Sequence, residues 1–170
     1  MAKFVPQAEM SYSDQVQVRR EKLAALQAEG RDPFAQVRFD RTSNSQEILN
    51  NFETMENQTV AIAGRIMSKR DMGKASFCHI QDQQGRIQLY VKIDELGQEE
   101  YERFKKLDIG DIVGVHGFVF RTRRGEISVH VQDYVLLSKS LLPLPEKYHG
   151  LKDVDTRYRQ RYVDLIVNPE

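Results

Sequence analysis

The sequence 75-ASFCHIQDQQGRIQLYVKI-93 carries the clearest structural signal in this chain of 170 residues. Apolar and polar side chains alternate on both sides of Gln83-Gln84-Gly85, a pattern typical of two β-strands joined by a tight turn. The inward side chains of the second strand are Ile87, Leu89, Val91 and Ile93. Cys78 and Ile80 are then the inward pair of the first strand, because successive side chains of a strand point to opposite faces. Phe77 and His79 therefore lie on the outer face.

Further strands and a helix extend outward from this hairpin. Alternation that begins at Thr59 predicts a preceding strand, in which Gly64 marks a bulge or a close backbone approach. After the hairpin, 99–107 has helical character, and the Val- and Phe-rich segments 112–121 and 126–137 predict two more strands. This order predicts an all-β core in the form of a five-stranded OB-fold barrel, an architecture that binds oligonucleotides. The helix between strands three and four favours it over a five-stranded SH3-like barrel.

The N-terminal region predicts a helix that packs on this barrel. It begins near Ser11 to Ser13, where serine is a good N-cap, and ends at Gly30. The apolar side of the helix carries Val16, Leu23 and Leu26. Arg19, Arg20 and Lys22 are expected mostly on its solvated face. A short helical run is predicted over 46–52, ahead of the first strand.

Four segments result from these boundaries. We expect a disordered tail over 1–12, a helical extension over 13–57, the OB-fold over 58–138, and a linker with the start of a further domain over 139–170. Pro143 and Pro145 stiffen the linker. Asn168-Pro169-Glu170 is typical of a helix beginning, which predicts that the chain is a fragment cut at the start of a missing helix.

Composition excludes several functional classes. One cysteine and four scattered histidines offer neither a disulfide nor a cluster at zinc-ligand spacing. No apolar run reaches the roughly 20 residues of a membrane span, and no secretory signal begins the chain, so we expect a cytoplasmic protein. Gly73-Lys74 lacks the other residues of a phosphate-binding loop. We therefore expect no catalytic residue, metal or cofactor within this sequence.

The charge is balanced in sum, with 25 basic and 25 acidic residues, but it is unevenly distributed. Basic residues fall in two turns of the predicted barrel, namely Lys69, Arg70, Lys74, Arg121, Arg123 and Arg124. Acidic residues gather around the helix between strands three and four, namely Asp94, Glu95, Glu99, Glu100, Glu102, Asp108 and Asp111. A polyanion would favour the basic side.

The outer face of the hairpin has the chemistry for single-stranded RNA. Unstacked bases are read by stacking on aromatic rings and by hydrogen bonds to their edges. Phe77 and Gln88 fit these two roles, although Phe77 could instead belong to a small second core beneath a loop or the N-terminal helix. The candidate RNA-binding residues are Lys69, Arg70, Lys74, Phe77, His79, Gln88, Arg123 and Glu126.

Two stretches near the end of the chain, 143-PLPEKYHGLKD-153 and 156-TRYRQRYVDLI-166, resemble the linker and motif 1 opening of class II lysyl-tRNA synthetases of bacterial type. Upstream, 20-REKLAAL-26, 30-GRDPF-34, Gly64-Arg65 and 73-GKASF-77 resemble the same family. The resemblance implies an N-terminal domain that binds the anticodon stem-loop of lysine tRNA. It implies that Phe77 stacks on a base, that Gln88 and Arg70 contact the central uracil, and that Glu126 reads a neighbouring uracil.

The same resemblance implies a full-length ligase that uses ATP and magnesium to attach lysine to its tRNA, and that forms a homodimer. The catalytic machinery of the family is absent from these residues, and we expect the chain itself to be mainly monomeric and without membrane association. Two alternatives stay open. One is a general single-strand-binding OB module, and the other is a protein-interaction barrel.

Overall fold

The computed structural model describes residues 10–36, 38–145 and 159–167. Its helices are α1 (Tyr12–Ala28), α2 (Ser45–Asn50), α3 (Phe52–Met55), α4 (Ile93–Leu96), α5 (Gln98–Lys105) and α6 (Arg161–Val167), with a 3-10 turn at Pro33–Ala35. Its strands are β1 (Thr59–Asp71), β2 (Ala75–Gln81), β3 (Arg86–Lys92), β4 (Ile112–Arg121) and β5 (Ile127–Ser138). The predicted order of elements is confirmed, with α4 and α5 between β3 and β4.

The five strands close into a barrel in the order β1-β2-β3-β5-β4. β3 and β5 pair in parallel, and the other four pairs are antiparallel. Closure pairs the edges of the sheet, so that none of these five strands leaves a long edge open to another chain. The same closure brings the outer faces of β2, β3 and β5 side by side.

The interior is filled by alternate side chains of every strand. Those with at most 2% exposure include Val60, Ile62, Ile66, Cys78, Ile80, Ile87, Leu89, Val91, Val113, Val115, Val119, Val129 and Val131. Helix α5 adds Tyr101 and Phe104, while Ile48 of α2 and Phe52 of α3 join the same core. The predicted inward pair of β2, Cys78 and Ile80, is confirmed. Burial raises the pKa of the Cys78 thiol to about 12.

Gly64 is the predicted point of close backbone approach. A Cβ at this position would lie 2.8 Å from the carbonyl oxygen of Gln81, so a larger residue would force β1 and β2 apart. The bulge in β1 comes slightly later, between Ile66 and Ser68. Because the bulge shifts the alternation, Ser68 pairs with His79 and Arg70 with Phe77 on the outer face.

Helix α1 begins with its predicted serine cap, since Ser11 Oγ accepts a hydrogen bond from Asp14 N. Gly30 has the expected left-handed backbone, with a φ of 71°. The expectation that Arg19 faces solvent was wrong, because this side chain is only 5% exposed. Its guanidinium donates to the carbonyl oxygens of Ile109 and Ser140, at 3.0 and 3.1 Å. Arg19 therefore fastens α1 to the barrel.

Asp108 and Asp111 are buried beside Lys139 and do not form part of an acidic surface, contrary to the expectation from sequence. The Lys139 ammonium donates to Asp108 at 2.6 Å and to Asp111 at 2.8 Å. Lys22 of α1 also donates to Asp108, at 2.8 Å. A buried charge is tolerated when it is paired and hydrogen-bonded in this way. These contacts join the turn before β4 to the end of β5.

Some expectations concern residues outside the described ranges. They are the tail up to residue 9, the linker stretch 146–158 and the helix beginning Asn168-Pro169-Glu170. Within 10–36, 38–145 and 159–167, no helix combines the length and apolar character required to span a bilayer.

Candidate nucleic-acid interface

The strand register arranges the outer face of the barrel in two rows that run across the strands. The first row consists of Ser68, His79, Gln88, Ser128 and Phe120. The second row consists of Arg70, Phe77, Tyr90, His130 and Phe118. Gln88 and Ser128, which are 40 positions apart in the chain, thus become direct neighbours, and so do Tyr90 and His130. Phe77 and Gln88 share this face, as expected from the alternation.

Aromatic rings form a continuous surface in these rows, here called the aromatic platform: Phe77, Tyr90, Phe118, Phe120 and His130. The ring centroid of Tyr90 lies 5.1 Å from that of Phe77 and 5.8 Å from that of Phe120. All five rings are half-buried. Rings that support one another at these distances form a rigid apolar surface on which planar groups stack.

Beside the platform, a cleft of about 750 Å³ separates the β1–β2 turn from the β4–β5 turn. Phe77, Tyr90 and Phe120 line its apolar part. Met72 also lines the cleft. The polar residues that line it are Ser68, Lys69, Arg70, His79, Gln88, Thr122, Arg123, Arg124 and Glu126. Seven of the eight residues predicted to bind RNA line this cleft, and the eighth, Lys74, is exposed in the β1–β2 turn beside it.

Gln88 is held in one orientation within the cleft. Its Oε1 accepts a hydrogen bond of 2.8 Å from the hydroxyl of Ser128, which is fully buried. Among the described residues, no group accepts a hydrogen bond from the Gln88 Nε2 atom. The side of the amide that remains available is therefore a donor, suited to a carbonyl oxygen.

His79 connects two other polar groups of the cleft. Its Nδ1 lies 3.1 Å from the Ser68 hydroxyl, and its Nε2 lies 2.9 Å from Oε1 of Glu126. A carboxylate only accepts, so Nε2 carries the proton toward Glu126, and Nδ1 accepts from Ser68 in the neutral ring. His79 thereby holds Glu126 at the mouth of the cleft, where that carboxylate is half-exposed.

The cations of the cleft differ in what they can contact. Arg70, near the end of β1, and Arg123 and Arg124, in the β4–β5 turn, are exposed and line the cleft. Guanidinium groups in this position suit the phosphates of a bound strand. Gly125, with a φ of 90°, allows the tight turn that presents Arg123 and Arg124.

The structure directs the Lys69 ammonium away from the other cations. It donates to the carbonyl oxygens of Phe104, Lys105 and Leu107, at 3.1, 2.8 and 2.8 Å, and so caps the C-terminal end of α5. Burial lowers the pKa of Lys69 to about 8. Its location favours a structural role over phosphate contact.

His130 lies in the middle of the platform without a hydrogen bond to Nε2 among the described residues. The nearest carboxylate, that of Glu95, is 4.0 Å away. Burial lowers the pKa of His130, which favours the uncharged ring. The imidazole therefore acts as an aromatic member of the platform near neutral pH.

Sequence reasoning missed part of this interface. Phe118 and Phe120 were assigned to a strand without a role, although they alternate with the buried Val119 and so face outward. The extra residue of the bulge at His116 and Gly117 lies in β5, so the inward positions of β4 run unbroken from Val113 to Val119, and this alternation could have assigned Phe118 and Phe120 to the outer face. Within the ranges that the structure describes, His, Cys, Asp and Glu side chains form no group able to hold a metal ion.

Comparison with known proteins agrees with this geometry. Residues 60–137 match a family model described as an OB-fold nucleic acid binding domain. The barrel is therefore an OB-fold of the nucleic-acid-binding class, and the predicted fold is confirmed.

Relatives extend the match to almost the whole chain. The lysine–tRNA ligase of Pelotomaculum thermopropionicum is 59% identical over 162 residues, which are 95% of this chain and 32% of that protein. The lysine–tRNA ligase of Syntrophomonas wolfei is 60% identical over 164 residues, covering 96% of this chain and 33% of that protein. The chain belongs to the lysyl-tRNA synthetase family and matches the N-terminal part of its members. It spans about a third of the length of the curated relatives it matches.

Proposed function

We propose that the aromatic platform and the cleft beside it bind the anticodon stem-loop of lysine tRNA and read its bases. The observation that carries this proposal is the position of Phe77 and Gln88, a stacking ring and an oriented amide donor on one wall of a single cleft. The relatives are lysine–tRNA ligases, and lysine tRNA is therefore the RNA that we propose for this cleft.

Base reading divides among four side chains. Phe77 stacks on a base, an interaction of about 1–3 kcal/mol. Uracil offers two carbonyl acceptors and one N–H donor, and Gln88 and Arg70 donate to the carbonyls of the central uracil. Glu126 accepts the N–H of a neighbouring uracil, because its carboxylate is an acceptor held by His79.

Phosphate contacts come from the flanking turns. Arg123 and Arg124 on one side and Lys74 on the other contribute charge without base preference. We assign Lys69 to the support of α5 in place of such a contact, because its three carbonyl partners already use its donors.

The complete protein, of which this chain corresponds to about a third, is proposed to attach lysine to its tRNA using ATP and magnesium. We further propose that the complete enzyme is a homodimer and that residues 1–170 alone are mainly monomeric. Sedimentation of the 170-residue chain tests the second point, and a tight dimer at micromolar concentration contradicts it.

The experiment that tests the proposal titrates labelled anticodon stem-loops into the chain, with the central uridine kept or replaced by each other base. We expect Phe77→Ala to weaken every loop by about 5- to 150-fold, the equivalent of 1–3 kcal/mol. Gln88→Ala should reduce discrimination at the central base by a similar factor while leaving stacking intact.

Matched controls are available on other parts of the chain. Phe34 is 49% exposed and Gln84 is exposed, and neither lines the cleft, so Phe34→Ala and Gln84→Ala should change no affinity. Equal binding of all loops by the wild-type chain would favour a general single-strand-binding module. No binding of any loop, with the chain folded, would refute the proposal.

A further inference from the structure

Ser128 is unusual among the polar residues of the outer face because its side chain has no exposed surface. It occupies β5 directly beside Gln88 of β3, its Cα partner in the parallel ladder. Its hydroxyl donates to Gln88 Oε1 at 2.8 Å, and its other acceptor, the backbone carbonyl of Glu126, is 3.4 Å away. The short hydrogen bond to Gln88 is therefore the favoured use of this hydroxyl.

An amide side chain has two orientations of nearly the same shape, in which the hydrogen-bond donor and the hydrogen-bond acceptor exchange places. With Oε1 turned toward Ser128, Gln88 presents Nε2 as a donor to the cleft; rotated by half a turn, it would present an acceptor. Uracil and cytosine differ at this edge, since uracil carries a carbonyl acceptor where cytosine carries an amino donor. A freely rotating glutamine could accept hydrogen bonds from cytosine as readily as it donates to uracil.

We propose that Ser128 is a positioning residue that fixes the Gln88 amide in its donor orientation and thereby excludes cytosine at the central anticodon position. The inference rests on the proposed function of the cleft. Ser128 touches no base itself, because it lies beneath the surface; it acts through Gln88. Rotation of the amide would turn Nε2 toward Ser128 Oγ, which would then accept from it, and the hydroxyl proton would have to move from its 2.8 Å acceptor to the Glu126 carbonyl at 3.4 Å. The orientation that cytosine requires therefore gives the hydroxyl proton the poorer acceptor.

The test compares the affinity of the 170-residue chain for two anticodon stem-loops that differ only in a central uridine or cytidine. The readout is the ratio of the two dissociation constants. Loss of one neutral hydrogen bond corresponds to about a fivefold change in an equilibrium constant. We expect Ser128→Ala to lower the uridine-to-cytidine preference by about fivefold, mainly through tighter binding of the cytidine loop, with less than about a twofold change for the uridine loop.

Ser45→Ala is the matched control, because Ser45 is also fully buried and its hydroxyl also makes a short hydrogen bond, to Asp82 at 2.7 Å. Neither Ser45 nor Asp82 lines the cleft. This variant should lose stability and keep the wild-type ratio. A purely structural role for Ser128 would make the two variants behave alike, with both loops weakened by the same factor.

The outcomes separate this inference from the proposed function. A wild-type preference for uridine that persists unchanged in Ser128→Ala overturns the positioning role and leaves base reading intact. Equal binding of both loops by the wild-type chain contradicts base reading itself. Should Ser128→Ala fail to fold, proton NMR of the wild-type complex decides: contacts of the Gln88 Nε2 protons with the uridine support the inference, and contacts with the Ser128 β-protons refute it.

Discussion

Replacement of Lys139 by methionine should remove a large part of the stability of this barrel. The Lys139 side chain is 1% exposed, and its ammonium donates to two carboxylates that are themselves 2% and 0% exposed. Methionine keeps most of the side-chain volume but leaves Asp111 buried without its cation. Breaking a buried ion pair by removal of one partner costs about 3–5 kcal/mol.

That loss is a large fraction of the free energy of unfolding of a typical domain, which is about 5–15 kcal/mol. Urea denaturation at pH 7, followed by circular dichroism, would measure it as a lower midpoint with an unchanged slope. Lys74→Met, at an exposed lysine, is the matched control and should change the free energy of unfolding by less than about 0.5 kcal/mol.

The double variant Lys139→Met, Asp111→Asn should recover part of the loss, because it removes the uncompensated charge of Asp111 together with the cation, while Asp108 keeps Lys22 as its partner. A decrease below about 1 kcal/mol for Lys139→Met alone would refute the reasoning. It would mean that water reaches the two carboxylates and solvates them in place of the ammonium.

Three further predictions concern single side chains. Lys69→Met should lower the free energy of unfolding near neutral pH by about 1–3 kcal/mol, because three carbonyl oxygens at and just after the C-terminal end of α5 lose their donor. The folded pKa of Lys69 is about 8 and its ordinary value 10.5, so between these values the unfolded chain binds the extra proton. Between pH 8 and 10.5, the free energy of unfolding of the wild-type chain should therefore rise with pH relative to that of Lys69→Met, by at most about 1.4 kcal/mol per pH unit. A fall in this difference would contradict the lowered pKa of Lys69. The Cys78 thiol, 1% exposed and with a raised pKa, should react with a thiol reagent at pH 8 only as fast as the chain opens; fast labelling of the folded chain would argue against the packed core. Arg123→Ala should weaken all stem-loops alike and reduce the slope of log affinity against log salt by about 0.7–0.9, whereas a base-dependent loss would exclude a phosphate contact.

Local pattern was sufficient for most of the fold. Alternation of apolar side chains identified the strands, and turn residues such as Gly73 and Gly125 marked their ends. The same alternation assigned Phe77 and Gln88 to the outer face, because side-chain direction along a strand is a local property of the backbone. Phe118 and Phe120 follow the same alternation around the buried Val119, but their place beside Tyr90 and His130 depends on how β4 pairs with β5, which is not a local property.

What tertiary structure alone decided is which polar groups pair with one another over long separations in the chain. Arg19 meets Ser140, Lys69 meets the end of α5, and Ser128 meets Gln88. The sequence pattern around a charged or hydroxyl side chain is the same whether that side chain is solvated or buried with a partner. Only the closure of the barrel determines which hydrogen-bond partners lie within about 3 Å. The sequence by itself therefore determined the barrel and the side chains of its outer face, and the closed fold determined which side chains on that face already have a hydrogen-bond partner.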